Sequence, residues 1–163
     1  MTEQEYRRLS APFRSPGRQQ GLIWANRVLT GLFYLVYPAL LLPLLLSRDP
    51  RLTRCVLVPA LSFAALSLWR HCCRAQRPYE VLDIEPILHR DKTGDSFPSR
   101  HVFSAFVVAM TALRLLPPLG GVLLLCGALL SLCRVVGGVH WPRDVLSGAA
   151  FGVLTGLVGY WFL

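Results

Sequence analysis

The strongest constraint on this chain is where its charge is missing. Four stretches, residues 28–46, 55–69, 102–133 and 145–163, carry no charged side chain except Arg114 in the third. A bilayer core takes roughly 20 helical residues to cross. The third stretch is long enough for two crossings, and Pro117-Pro118 supplies the turn between them, because tandem prolines remove two backbone donors from a helix interior. The pattern therefore predicts five spans.

The runs show no alternation of polar and apolar residues and are too long for single strands. A backbone facing lipid must also satisfy its own hydrogen bonds, which a helix does. The expected fold is all-α, an integral membrane helical bundle of about five transmembrane helices. An interfacial loop or short helix, residues 79–95, lies between spans two and three. A basic N-terminal segment (1–27) precedes a single transmembrane domain (28–163). Composition agrees, since only 16% of the 163 residues are charged against roughly 25% in soluble domains. The first run, nineteen residues long, exceeds the ~7 to 15 of a secretory signal core and lacks a small-x-small cleavage pattern after it, so it reads as a retained anchor.

Five cysteines, an odd number, do not form a disulfide framework and read as small buried thiols. The net charge is +8, and sixteen of the seventeen cations are Arg. These cations flank spans rather than cover a soluble face. That excludes nucleic acid as the expected partner and favours lipid headgroups and phosphate.

With the five spans alternating across the membrane, Arg70, Arg77, Arg100, His101, Arg134, His140 and Asp144 all fall on one membrane face. The opposite face holds Arg48, Asp49, Arg51, Arg54 and Arg114, and no His. Single Arg residues at a boundary are ordinarily anchors, but anchoring does not call for both of the His residues at span entries, His101 and His140, to fall on the crowded face. Pro98-Ser99 ahead of an apolar helix marks Ser99 as a candidate N-cap, with first-turn amides open to an anion. In VHWPRDV (139–145) the carboxylate of Asp144 can reach back to one imidazole nitrogen of His140, fixing the tautomer and leaving a lone pair on the other. Guanidiniums match phosphate oxygens in planar forks. The chemistry this set suggests is phosphoryl transfer by way of a His nucleophile.

Three segments also carry a family likeness. RHCCRAQRP places six residues between Arg70 and Arg77-Pro78; PSRH covers residues 98–101; and CRVVGGVHWPRD places five residues between Arg134 and His140 and three between His140 and Asp144. In order, spacing and placement these resemble the three-part signature of the type 2 phosphatidic acid phosphatase (PAP2) superfamily of membrane phosphatases, over residues 52–163. The resemblance implies that His140 attacks phosphorus and becomes a phosphohistidine and that Asp144 orients it. It implies further that His101 protonates the leaving oxygen and that Arg70, Arg77, Ser99 and Arg134 hold the phosphoryl oxygens. It implies no metal and no cofactor.

The implied partners are a lipid phosphate or isoprenoid diphosphate substrate and the surrounding membrane lipids. The implied location is the cell membrane, crossed several times; the sequence sets no oligomeric state. Three positions depart from the signature: Arg70 replaces Lys, Cys133 replaces Ser, and Arg100 replaces Gly. Cys133 lacks a good hydroxyl donor. Arg100 fits either a second phosphate or an interfacial anchor.

Two other classes compete with a phosphatase. A metal-dependent enzyme would need ligands at suitable spacing, yet no two His occupy adjacent helical turns, and several Arg would repel a cation. A transporter, or a lipid-phosphate binder without turnover, would more often carry ionisable groups at mid-membrane. Orientation is left open by the sequence. Five spans put the N-terminus on the face of the site, while Arg7, Arg8, Arg14, Arg18 and Arg27 favour the cytoplasm.

Overall fold

The computed structural model describes residues 1–89 and 93–162. All regular structure in it is helical: α1 (Glu3–Ser10), α2 (Pro16–Leu46), α3 (Arg51–Cys73), the single turn α4 (Pro78–Val81), α5 (Arg100–Leu115), α6 (Pro117–Val136) and α7 (Pro142–Leu157), which continues as a π-helical turn, Val158–Phe162. Among the described residues four helical segments are long and apolar enough to cross a membrane: Pro16–Leu46, Arg51–Val81, Pro117–Val136 and Pro142–Phe162. This is a multi-pass integral membrane protein.

The fifth helix of the bundle, α5, is 16 residues long, or about 24 Å at the usual rise. It is bounded by Arg100-His101 at one end and by the turn at Leu116-Pro117 at the other, so the count of five is approximate. Its shortness is tolerated because α5 is the central helix. It packs against α2, α3, α6 and α7, and nine of its residues from Val102 to Ala112 are buried.

The first long helix starts well before the apolar run. Pro16 occupies its first turn, where proline's missing N–H is no loss, and its 31 residues carry Arg18 and Arg27 in the N-terminal half. The segment GLIWANRV thus lengthens span one. Ahead of it, α1 is held by a reciprocal capping box between Thr2 and Glu5.

Three glycines on one face of α7 set its distance from α5. A Cβ at Gly148 would lie 2.7 Å from the backbone oxygen of Ser99, one at Gly152 2.9 Å from that of Phe103, and one at Gly156 2.3 Å from the Cβ of Met110. Only bare backbone fits at such separations, the same device by which small residues bring membrane helices together. Asp144 sits one turn before this stripe and Ser99-Arg100-His101 at the facing end of α5. The close approach therefore decides where the polar groups of both helices meet.

Candidate active site

The structure brings Arg70, Arg77, Ser99, Arg134, His140 and Asp144 together at one end of the bundle, each nearly or fully buried. Arg70, in the last turn of α3, donates from Nη1 to the Pro98 carbonyl at 2.9 Å. Arg77 precedes α4 and donates to the Gly94 carbonyl at 3.2 Å and the Val139 carbonyl at 3.2 Å. It thereby ties the segment before α5 to the turn that carries His140. Glu80 reinforces the same corner, accepting from the Arg77 N–H at 2.6 Å and the Gly94 N–H at 2.7 Å. The indole N–H of Trp141 donates to the Gln76 carbonyl at 2.9 Å.

Asp144 is in the first turn of α7, where a carboxylate is favoured by the helix dipole. Its Oδ2 accepts from the backbone N–H of Trp141 at 3.0 Å and lies 3.5 Å from Nδ1 of His140. That distance is longer than a good hydrogen bond. Between the two stands a residue that sequence reasoning passed over. The hydroxyl of Ser96, fully buried, donates to Asp144 Oδ2 at 2.5 Å and lies 3.4 Å from His140 Nδ1. Ser96 is in the same DSFPSRH stretch as Ser99 and His101. No periodicity marks it, because its two contacts are made 44 and 48 positions away.

His140 is 1% exposed. Burial pushes its pKa from 6.5 down to about 4; the guanidiniums of Arg134 and Arg77 push the same way, and the Asp144 contact only partly offsets them. At neutral pH it is a neutral imidazole with a lone pair, set among positive charge.

Ser99 stands at the N-cap of α5 with extended backbone angles, as its position in the sequence suggests, but its side chain makes no capping bond. Instead its backbone N–H donates to the Asp144 carbonyl at 3.0 Å, and its buried hydroxyl has no hydrogen-bond partner among the described residues. A buried hydroxyl left unmatched is costly, and an incoming anion oxygen would satisfy it. His101 and Arg100 lie outside this buried set. His101 is half-buried and Arg100 exposed.

Both line one end of an apolar cavity of about 720 Å³ between α2, α3 and α5, with Phe33, Tyr37, Pro59 and Phe63 among its walls. The guanidiniums of Arg100 and Arg77 lie close enough to act on the charge of Arg70. Cys133, where the signature has Ser, packs with Leu22, Ile87 and Val136 in an apolar cluster. Its role there is packing.

The connection between spans two and three folds over this site. After α4 its described residues form no regular helix, but Ile84, Ile87 and Leu88 are buried, and the Leu88 N–H donates to the Gly137 carbonyl at 3.1 Å. His89 is exposed, in keeping with a surface residue. Residues 90–92 of this connection, and Leu163 at the end of the last span, lie outside the described residues.

Comparison with known proteins gives the same picture. The crystal structure of Aquifex aeolicus LpxE superposes with a TM-score of 0.73 at 24% identity, covering 96% of this chain and 92% of that one. A transmembrane PAP2-type phosphatidylglycerolphosphate phosphatase from Bacillus subtilis superposes at 0.61 with 22% identity, covering 96% and 91%. In sequence, the chain is 29% identical over 85 residues to the bacitracin transport permease protein BcrC of Bacillus licheniformis, covering 52% of this chain and 42% of that protein. It is 57% identical over 28 residues to the lipid A 1-phosphatase of Porphyromonas gingivalis, 17% of this chain and 6% of that protein. The chain thus spans less than half the length of these two relatives. The family model of the PAP2 superfamily matches residues 51–163, the region that holds Arg70, Arg77, Ser99, Arg134, His140 and Asp144, and the chain belongs to that superfamily.

Proposed function

We propose that this protein is a metal-independent phosphatase of the cell membrane that hydrolyses a lipid phosphate or a polyprenyl diphosphate through a phosphohistidine at His140. The observation that carries this reading is the neutral, buried imidazole of His140 beside Asp144 and among the guanidiniums of Arg77 and Arg134. A phosphoryl group entering there meets Arg70, Arg77, Arg134 and the unmatched hydroxyl of Ser99. Such preorganised donors supply the charge stabilisation that phosphoryl transfer chiefly needs.

In the first step the free nitrogen of His140 attacks phosphorus. The N–P bond forms, the P–O bond to the lipid breaks, and the leaving oxygen takes a proton from His101. Asp144 holds the Nδ1 proton and offsets the positive charge of the phosphorylated ring. In the second step water attacks phosphorus, the P–N bond breaks, His101 takes the proton of the water, and inorganic phosphate leaves.

A lipid substrate is supported by the apolar cavity that extends along α2, α3 and α5 from Arg100 and His101, with room for part of an acyl or prenyl chain. The solved relatives include a phosphatidylglycerolphosphate phosphatase, and one sequence relative is a lipid A 1-phosphatase. The Bacillus licheniformis relative is named as a transport permease. A transport reading of this chain would favour ionisable groups at mid-membrane, whereas the polar groups here gather at one end of the bundle.

Phosphate release from a panel of lipid monophosphates and polyprenyl diphosphates, in detergent with a chelator, tests the proposal. Turnover by the wild type and none by His140→Ala is the expected result. Turnover by His140→Ala, or loss of wild-type activity in chelator, refutes it. Arg100→Gly, assayed on both substrate types, reports whether Arg100 holds a second phosphate: a selective loss on diphosphates supports that role, and equal rates assign Arg100 to the headgroup region.

A further inference from the structure

Residues 1–50 precede the region matched to the superfamily, yet their first helix is not spread on the surface. Tyr6 of α1 is fully buried, and its ring and hydroxyl lie directly on Gly138, where an added Cβ would be 2.5 Å from the tyrosine oxygen. Gly138 has φ +78 and sits two residues before His140. Three further bonds fasten the segment to the loop that covers the site: Arg7 donates to the Asp83 carbonyl at 3.1 Å, Arg14 to the Glu85 carbonyl at 2.8 Å, and Tyr6 more weakly to the Glu85 carbonyl at 3.5 Å. The Arg14 guanidinium also stacks 5.8 Å above the Tyr6 ring. Met1 packs against the cluster formed by Val102, Val135 and Val145, the neighbours in sequence of His101, Arg134 and Asp144.

We propose that α1 is a brace that fixes the 137–140 turn, with Tyr6 a positioning residue acting on His140 through Gly138. The proposal rests on the phosphatase reading above and extends it to a segment outside the matched region. The rest of the turn is held by the Arg77 bond to Val139, the Val139 N–H bond to Arg134, the Leu88 bond to Gly137 and the Leu88 side chain packed on Gly137, whereas Gly138 is covered by the Tyr6 ring. Without the tyrosine ring, Gly138 faces a hole, the turn relaxes outward, and water reaches an imidazole that is otherwise dry. The charged and polar groups facing that imidazole are Asp144 on α7, Arg134 on α6, Arg77 ahead of α4 and Ser96 ahead of α5.

The test compares Tyr6→Ala, Tyr6→Phe and the double variant Arg7→Ala/Arg14→Ala with the wild type, measuring kcat, KM and the pH profile of kcat/KM. Misplacement of a reacting group by about 1 Å costs on the order of 100-fold, so Tyr6→Ala is expected to lose about 10- to 100-fold in kcat with KM little changed. Its acid limb moves up toward that of a hydrated imidazole. Tyr6→Phe, which keeps the ring, stays near wild type, and the double variant shifts in the same direction as Tyr6→Ala by less.

Wild-type kcat and acid limb in Tyr6→Ala overturn the brace. Should Tyr6→Ala fail to fold, an unchanged acid limb in the double variant overturns it instead. A wild type without turnover on any substrate overturns the phosphatase reading, which is a separate outcome.

Discussion

The burial of His140 makes the stability of the fold depend on pH in a predictable direction. In the unfolded chain an imidazole titrates near 6.5, whereas in the folded protein it titrates near about 4. Between those values the unfolded chain binds the proton and the folded one does not, so stability rises with pH across that window and falls on acidification. The stability is complete above about 6.5, is lost progressively down to about 4, and loses nothing further from this group below that. At about 1.4 kcal/mol per pH unit, the window is worth about 3 kcal/mol.

Other carboxylates titrate in the same range, so the quantity to measure is a difference. Unfolding in detergent would be followed at several pH values from 7 to 4 for the wild type and for His140→Asn, which keeps a donor toward Asp144 but cannot take up a proton. The wild type is expected to lose about 3 kcal/mol more than the variant over that range. Parallel curves would refute the reasoning, since they would mean that water already reaches the imidazole in the folded protein. An excess loss in the variant would give the shift the wrong sign.

Two further substitutions address how the site is held. Ser96→Ala removes the shortest donor to a buried carboxylate, an interaction of about 1.5 to 3 kcal/mol. It is expected to lower kcat by about tenfold or more with little change in KM, and a wild-type kcat would show that Trp141 and His140 suffice to orient Asp144. Gly152→Val drives a side chain into the backbone of α5, where Phe103 oxygen and Phe106 Cβ lie 2.9 and 2.7 Å from the first added carbon. Overpacking of this kind costs typically about 1–3 kcal/mol and should separate His101 from His140, lowering kcat and thermal stability together, while Gly121→Val, with nothing within 4 Å, leaves both unchanged.

Much of this architecture is legible in the amino-acid order because both of its signals are local. Runs without charge report helices that face lipid or the bundle core, and Arg70, Arg77, Ser99, Arg134, His140 and Asp144 fall beside the ends of those runs. The alternation of spans then places them on one face, where the structure has them. What could not be read are contacts between distant segments. Ser96 looks like any polar residue ahead of a helix until Asp144 and His140 are folded against it. Tyr6 belongs to a basic stretch whose charge suggested topology and nothing about the site. Ser99 has the sequence of a capping residue, but its hydroxyl makes no capping bond, and its N–H donates to the backbone carbonyl of Asp144, 45 positions away. The count of spans blurred at α5 for a related reason: a helix enclosed by its neighbours need not match the thickness of the bilayer by itself.

The glycine stripe of α7 has a consequence for how this protein can diversify. One face of α5 is pressed against bare backbone, so the separation of Ser99-Arg100-His101 from Asp144 is written into main-chain geometry and cannot drift without repacking two helices. Another face, through Ser104, Ala105 and Val108, looks into the apolar cavity shared with α2 and α3, where side chains alone set the shape. The buried polar cluster and the apolar cavity thus lie on different sides of a single helix. Substitutions at Phe33, Tyr37 or Phe63 can reshape that cavity while the contact between α5 and α7 stays as it is.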